Sequence, residues 1–339
     1  MKALRLHGIG DLRLHEEPVP VPVDGEVLLR VTAVGICGSD LHWFEEGSIG
    51  DARLAHPLVL GHEFAAVIES GPRKGERVAV DPALPCGRCE FCETGYPNFC
   101  RATRFSGHGK DDGSLREYMA WPERALFTLP DSVSDVEGAL LEPLGVALYA
   151  LDLGQIRLGD AVGIFGCGPI GLMLIRLAQL SGARQIIATD IRPHRLAVAG
   201  QMGADVIFLA DAAGSERAAV LDATGGRGID VAFEIAGVNA AVETAIETAR
   251  PGARVVLVGI PSDDRTSFSA STARRKGLTI QLCRRMAHTY PRAIALAEGG
   301  QIDLAGLASH CFPLTEYQQA FSSAAAREGL KVVVEPTGT

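Results

Sequence analysis

Residues 146–281 predict an α/β fold, a doubly wound parallel sheet with helices on both faces. Residues 1–145 predict a β-rich domain that 282–339 completes. Two contrasts carry this reading. In the second stretch, apolar runs alternate with helical patterns. The runs are Ala161–Phe165, Gln185–Thr189, Asp205–Leu209, Asp230–Ile235, Arg254–Gly259 and Leu278–Leu282. Such alternation implies parallel strands joined by helices, and near-continuous apolar strands fit burial on both faces. The first stretch instead holds short β-type runs: Val27–Val34, Leu58–Leu60, Ala65–Glu69 and Arg77–Val80. Turn clusters such as Val23-Asp24-Gly25-Glu26 and Ser70-Gly71-Pro72 separate them. The tail adds a helical stretch, Tyr290–Glu298, and a strand, Lys331–Glu335, able to pack back onto the first domain. A length of 339 residues suits two domains.

Charge and composition narrow the function. The formal net charge is −9, which argues against nucleic-acid and anionic-membrane partners, because both need a basic field. Hydrophobic residues make up 47% of the chain, enough for buried cores. The long apolar window Ala161–Leu180 is broken by Gly163, Gly166, Gly168, Pro169, Gly171 and Arg176, so it reads as strand, turn and helix and not as a membrane span. Met1–Asp11 lacks the basic and apolar regions of a signal peptide. A cytoplasmic location is expected. Eight cysteines without a secretion signal favour a metal site over a disulfide framework.

Gly166-Cys167-Gly168-Pro169-Ile170-Gly171 is a G-x-G-x-x-G sequence between a strand pattern and a helix pattern. With 39 glycines in the chain, the context decides its meaning. The first glycine permits a tight turn, the second lets a pyrophosphate approach the backbone, and the third lets helix and strand pack closely. Pro169 costs nothing at the helix start, whose positive end would take the phosphates. Asp190 stands 19 residues past Gly171, where a carboxylate should meet the adenosine ribose hydroxyls. It would repel a 2′-phosphate, so NAD is favoured over NADP, although Arg192 and Arg195 follow closely. The alternative is a Gly-rich turn without nucleotide.

Cys86-x2-Cys89-x2-Cys92-x7-Cys100 offers four thiolates within one loop. Four sulfurs can close a tetrahedral structural zinc site. The alternatives are reduced thiols or two disulfides. A second set is sparser: Gly35-Ile36-Cys37-Gly38-Ser39-Asp40-Leu41-His42, then Gly61-His62-Glu63. Cysteine, histidine and carboxylate can hold zinc with one position left open. By spacing alone this is a modest signal, since lone cysteines and histidines are more often core residues.

In their order along the chain, these motifs, together with Leu141-Glu142-Pro143-Leu144, resemble the zinc-containing medium-chain alcohol dehydrogenase family over essentially the whole length. Glu63 after His62, Thr189-Asp190 with Arg195, and Thr289-Tyr290-Pro291 make the polyol dehydrogenase branch the most similar. The resemblance implies a GroES-like catalytic domain beside a Rossmann NAD-binding domain. It implies one catalytic and one structural zinc, NAD, and a homotetramer. Cys37 and His62 would be catalytic zinc ligands, with Glu63 or Glu142 as the third donor. Asp40 would orient His62, and Ser39 and His42 would relay the hydroxyl proton. Trp43, Glu142 and Arg285 would line the substrate pocket, with Trp43 standing where tyrosine is expected. Gly166, Gly168, Ile170, Gly171, Asp190, Arg195, Val258, Gly259, Ile260, Cys283 and Arg284 would contact the cofactor.

The implied reaction is oxidation of a secondary hydroxyl on a small polyol or sugar acid of the sorbitol, xylitol or L-idonate type. Arg284-Arg285-Met286-Ala287-His288-Thr289-Tyr290 also resembles threonine 3-dehydrogenases. A 2,3-butanediol or simple secondary alcohol dehydrogenase is a further alternative, and a non-catalytic zinc- and NAD-binding protein another. Bland readings remain for several residues: a turn for Ser39 and Asp40, a structural histidine for His42, plain core for Trp43, and a surface carboxylate for Glu142. His7, His15, His56, His108, His194, His288 and His310 show no ligand spacing, and Cys167 and Cys311 read as buried thiols.

Overall fold

The computed structural model describes residues 1–211 and 213–337. The chain divides into two compact units: Met1–Gly145 with Ala287–Thr339, and Val146–Met286.

The main sheet of the first unit places Leu126–Thr128, Arg77–Val80, Glu63–Ile68, Glu26–Gly35, Lys331–Glu335 and Ala308–Pro313 side by side in that order, and Tyr118–Pro122 also pairs with Glu26–Gly35. Glu26–Gly35 is the hub. Its burial alternates from Glu26 to Ala33, as a strand's period of two demands, and then Val34 and Gly35 are buried as well. At that end three strands meet in register: Gly35 stands opposite Glu63 on one side and Val333 on the other. The chain then runs directly into Ile36 and Cys37. The core beneath contains Leu29, Val31, Phe64, Ile68, Val80, Met119 and Phe321, and each such side chain contributes about 1.5–3 kcal/mol on burial.

A hairpin, Lys2–Gly8 with Asp11–Glu16, adds strands that the sequence reading does not name. Its support is remote. Leu4 donates its backbone N–H to Leu115 O at 2.9 Å, and Arg5 bridges Glu17 and Asp112. Gly38–Glu46 is a helix, where the sequence reading offered only a turn for Ser39 and Asp40.

The second unit is a six-stranded parallel sheet in the order Val206–Leu209, Gln185–Asp190, Ala161–Phe165, Ile229–Glu234, Ala249–Leu257, Thr279–Leu282. By chain order this is 3-2-1-4-5-6, and the reversal lies between Ala161–Phe165 and Ile229–Glu234. Ligands of such sheets bind outside the carboxyl ends of strands at that switch point. Ala161–Phe165 and Ile229–Glu234 are buried throughout, the carboxylates of Asp230 and Glu234 included. Among the described residues, no helix is long and apolar enough to cross a membrane.

Candidate functional site

The first centre forms where Glu26–Gly35 ends. Cys37 is the N-cap of the helix Gly38–Glu46, and Asp40 closes a capping box by accepting the Cys37 backbone N–H at 2.9 Å. Gly47, left-handed at φ +65°, ends the helix. The other Asp40 oxygen accepts the Gly61 N–H at 3.2 Å and lies 3.5 Å from His62 Nδ1. Asp40 is 1% exposed. Burial pushes its carboxyl up, but His62 and the two backbone N–H groups outweigh this and hold it below the usual range. Burial pushes His62 down, yet Asp40 and Cys37 raise it well above the ordinary histidine value.

Cys37, His62 and Glu63 come together, with one ligand atom from each lying within 4.8 Å of the others. Sulfur, imidazole nitrogen and carboxylate oxygen form a donor set that suits zinc. Glu63 Oε2 is buried and meets the Lys331 ammonium as an ion pair, without a hydrogen bond of its own. Gly35 is needed opposite it, because a Cβ there would overlap that oxygen. These residues fit a zinc ion. Glu142, buried on the helix Asp135–Gly154, does not join the three donors. Burial pushes its carboxyl up to about 7; Glu63 adds to the rise, and His62 and Lys331 oppose it.

Ser39 Oγ lies 3.4 Å from His62 Nε2. His42 turns Nδ1 toward Glu46 at 3.1 Å. Trp43 is buried in the first unit's core and meets the His108 ring edge-on, with centroids 5.5 Å apart. Phe105 stands between His108 and His62, at 6.4 and 5.4 Å. Lys331 is a residue the sequence reading missed. It is 5% exposed and sits against Glu63. A lysine leading the buried run Val332–Val334 is the available signal, since buried lysines need partners.

The second centre gathers Cys86, Cys89, Cys92 and Cys100 within the same 4.8 Å limit. None of the eight cysteines is bridged. Gly87 and Gly95 take left-handed backbone, φ +73° and +89°, to fold the loop. Cys86 donates its N–H to Cys100 Sγ at 3.4 Å, and this contact leads the effects that lower the Cys100 thiol.

In the second unit, Gly166 is left-handed at φ +112°, and a Cβ there would lie 2.8 Å from Ala236 N. A Cβ on Gly171 would overlap Gly166 O. Gly168, the N-cap of Pro169–Leu180, is different: a Cβ there would meet only Arg195 Nη1, at 3.8 Å. This leaves an open cradle at a helix N-terminus, which suits a pyrophosphate. Asp190 ends its strand, accepting Cys167 N–H at 2.7 Å and Arg192 N–H at 2.8 Å. Ile170 is half-buried in the first helical turn. Val258 N–H donates to Glu234 O at 2.8 Å, and Gly259 abuts Gly237, with Ile260 exposed beyond. Burial pushes the Cys283 thiol up to about 12. Arg284 is exposed, and Arg285 takes left-handed backbone at φ +54°. Glu234 is a second residue the sequence reading missed. It is 1% exposed at the switch point and accepts Gly237 N–H at 2.6 Å.

Residues 23–131 match the alcohol dehydrogenase GroES-like domain, and residues 169–299 match the zinc-binding dehydrogenase family. The chain is 36% identical over 345 residues to sorbitol dehydrogenase of Bacillus subtilis (strain 168), covering 99% of this chain and 97% of that protein. It is 36% identical over 340 residues to probable D-xylulose reductase A of Arthroderma otae, covering 97% and 95%. The crystal structure of L-idonate 5-dehydrogenase from Escherichia coli superposes with a TM-score of 0.91 at 27% identity, covering 98% and 97%.

Proposed function

This chain belongs to the zinc-dependent medium-chain alcohol dehydrogenase family, and from that premise we propose that it oxidises a secondary hydroxyl of a small polyol or sugar acid with hydride transfer to NAD. The observation that carries the proposal is the meeting of Cys37, His62 and Glu63 donor atoms within 4.8 Å. The substrate class comes from relatives named for sorbitol, D-xylulose and L-idonate.

Cys37, His62 and Glu63 would hold the catalytic zinc, with Glu142 as a neighbouring carboxylate. When bound, zinc supplies Lewis acidity that makes a nearby hydroxyl more acidic, and NAD supplies the electron acceptor. The chain's own residues do the rest. Asp40 orients His62, so that Nε2 faces the centre beside Ser39. Ser39 Oγ would take the substrate proton. His42 Nδ1 faces Glu46, so a continuation of the relay would use His42 Nε2. Trp43, Phe105 and His108 would wall the substrate side. The Gly168 cradle would take the pyrophosphate and Asp190 the adenosine ribose, with Arg195 beside them. Cys86, Cys89, Cys92 and Cys100 offer a closed thiolate site, which would hold zinc for stability. We extend the proposal to a homotetramer in the cytoplasm; light scattering of the purified protein tests the assembly, and cell fractionation tests the location.

The experiment follows NADH formation with sorbitol, xylitol, L-idonate, L-threonine and 2,3-butanediol, each with and without a chelator. Chelator-sensitive turnover of a polyol or sugar acid is expected. Turnover of L-threonine or 2,3-butanediol alone would overturn the substrate class, and silence across the panel would overturn the proposal.

A further inference from the structure

We propose that Lys331 is a positioning residue that keeps Glu63 a weak, exchangeable donor to the catalytic zinc. The inference rests on reading Cys37, His62 and Glu63 as that zinc's site.

Lys331 reaches the centre by register. Its strand pairs antiparallel with Glu26–Gly35, Val333 opposite Gly35 and Val334 opposite Val34. This brings a residue 268 positions away in sequence to Glu63. The ammonium donates to Glu63 Oε1 at 2.8 Å and to Ile36 O at 3.1 Å, and lies 2.5 Å from Glu63 Oε2. One cation therefore engages both oxygens of the carboxylate. Both side chains are almost wholly buried, so solvent and salt screen the pair little. Gly35 leaves the room in which Oε2 lies.

The chemistry sets the direction of the effect. A carboxylate shared with an ammonium has less electron density to give a metal. The ammonium also repels a dication bound beside it. Most outer-shell partners raise ligand basicity, so their loss weakens metal binding by about 10–100-fold. Lys331 has the opposite sign, so its loss should tighten zinc at this centre. Tighter donation makes the metal a poorer Lewis acid, so turnover should fall as binding strengthens. A lysine serving only to fill space or support the fold would leave zinc release unchanged or make it faster.

The test uses the full chain as wild type, Lys331→Met and Lys331→Arg. Zinc is counted by elemental analysis, and its release to a chromogenic chelator is timed. The four-cysteine centre in the same chain is the internal reference. In Lys331→Met, release from the catalytic centre should slow by about tenfold, with kcat reduced and the reference centre unchanged. Lys331→Arg keeps the charge and should release zinc at close to the wild-type rate. Unchanged or faster release from folded Lys331→Met overturns the proposal. If that variant does not fold, Lys331→Gln takes the same test with the same two outcomes. Failure of both to fold with zinc also overturns it, because zinc should then satisfy Glu63. A wild type holding zinc only at the four cysteines would instead overturn the site reading beneath it.

Discussion

Asp40 ties the segments that carry Cys37 and His62 together, with one oxygen 3.5 Å from His62 Nδ1 and the other accepting the Cys37 N–H at 2.9 Å. Asp40→Asn keeps the shape and an acceptor but loses the charge that favours a proton on His62 Nδ1. Weaker zinc binding at this centre, by about 10–100-fold, is expected. Zinc retained per chain after timed dialysis against a chelator measures it. Wild-type retention would show that Asp40 serves only as a helix cap.

Cys37→Ser and His62→Ala remove donors from the three-residue set. Neither residue anchors a hydrophobic core. Both variants should therefore lose turnover while keeping a cooperative thermal transition and the zinc of the four-cysteine centre. Measured turnover near that of the parent would sink the catalytic assignment.

Cys100 is the buried member of the four-cysteine loop, and its thiol is held below the usual range chiefly by the Cys86 N–H. Thiolates are the zinc-binding form. Cys100→Ser should lose that zinc and lower stability by several kcal/mol, because metal binding at such sites is coupled to folding. Calorimetry with zinc analysis reads both. An unchanged Tm would mean that the loop does not depend on metal.

Much of this was legible because it is local. The parallel strands showed as near-continuous apolar runs, and the strands Ala161–Phe165 and Lys331–Glu335 and the helix Tyr290–Glu298 lie where the pattern placed them. The Cys86–Cys100 spacing and the glycine fingerprint are likewise contained in short segments. Lys331 and Glu234 were not legible as site residues. Lys331 takes its place beside Glu63 from a strand register with residues about 300 positions away, and Glu234 takes its buried setting from a turn formed by Ala236–Val238 after its strand. The helix Gly38–Glu46 was not read from the sequence, because its cap is a cysteine whose backbone N–H Asp40 holds while also partnering the remote His62.

Asp190 is placed to do more than make the ribose contact proposed for it. It accepts Cys167 N–H from the fingerprint turn and Arg192 N–H from the segment after its own strand. Asp190→Ala should raise the KM for NAD by about tenfold, the cost of one charge-assisted contact, and shift preference toward NADP, with Arg192 and Arg195 alongside. Initial rates with the two cofactors decide it. An unchanged cofactor ratio would confine Asp190 to shaping the turn.

Glu234 offers a test by pH. Burial pushes its carboxyl up to about 7, and the N–H groups of Gly237, Val238 and Ala236 oppose the rise without cancelling it. An unfolded glutamate titrates near 4.3. The folded state thus prefers the protonated acid. The sign follows: the stability Glu234 contributes is fully present below the unfolded value and declines as pH rises toward about 7, leaving an ionised group buried above that. Glu234→Gln keeps an oxygen to accept the Gly237 N–H and cannot ionise. It should gain stability relative to the parent at about pH 8 and show little difference at about pH 4. Denaturant unfolding of both proteins across that range measures it. Parallel stability curves would mean that the Glu234 carboxyl titrates in the folded chain as it does in the unfolded one.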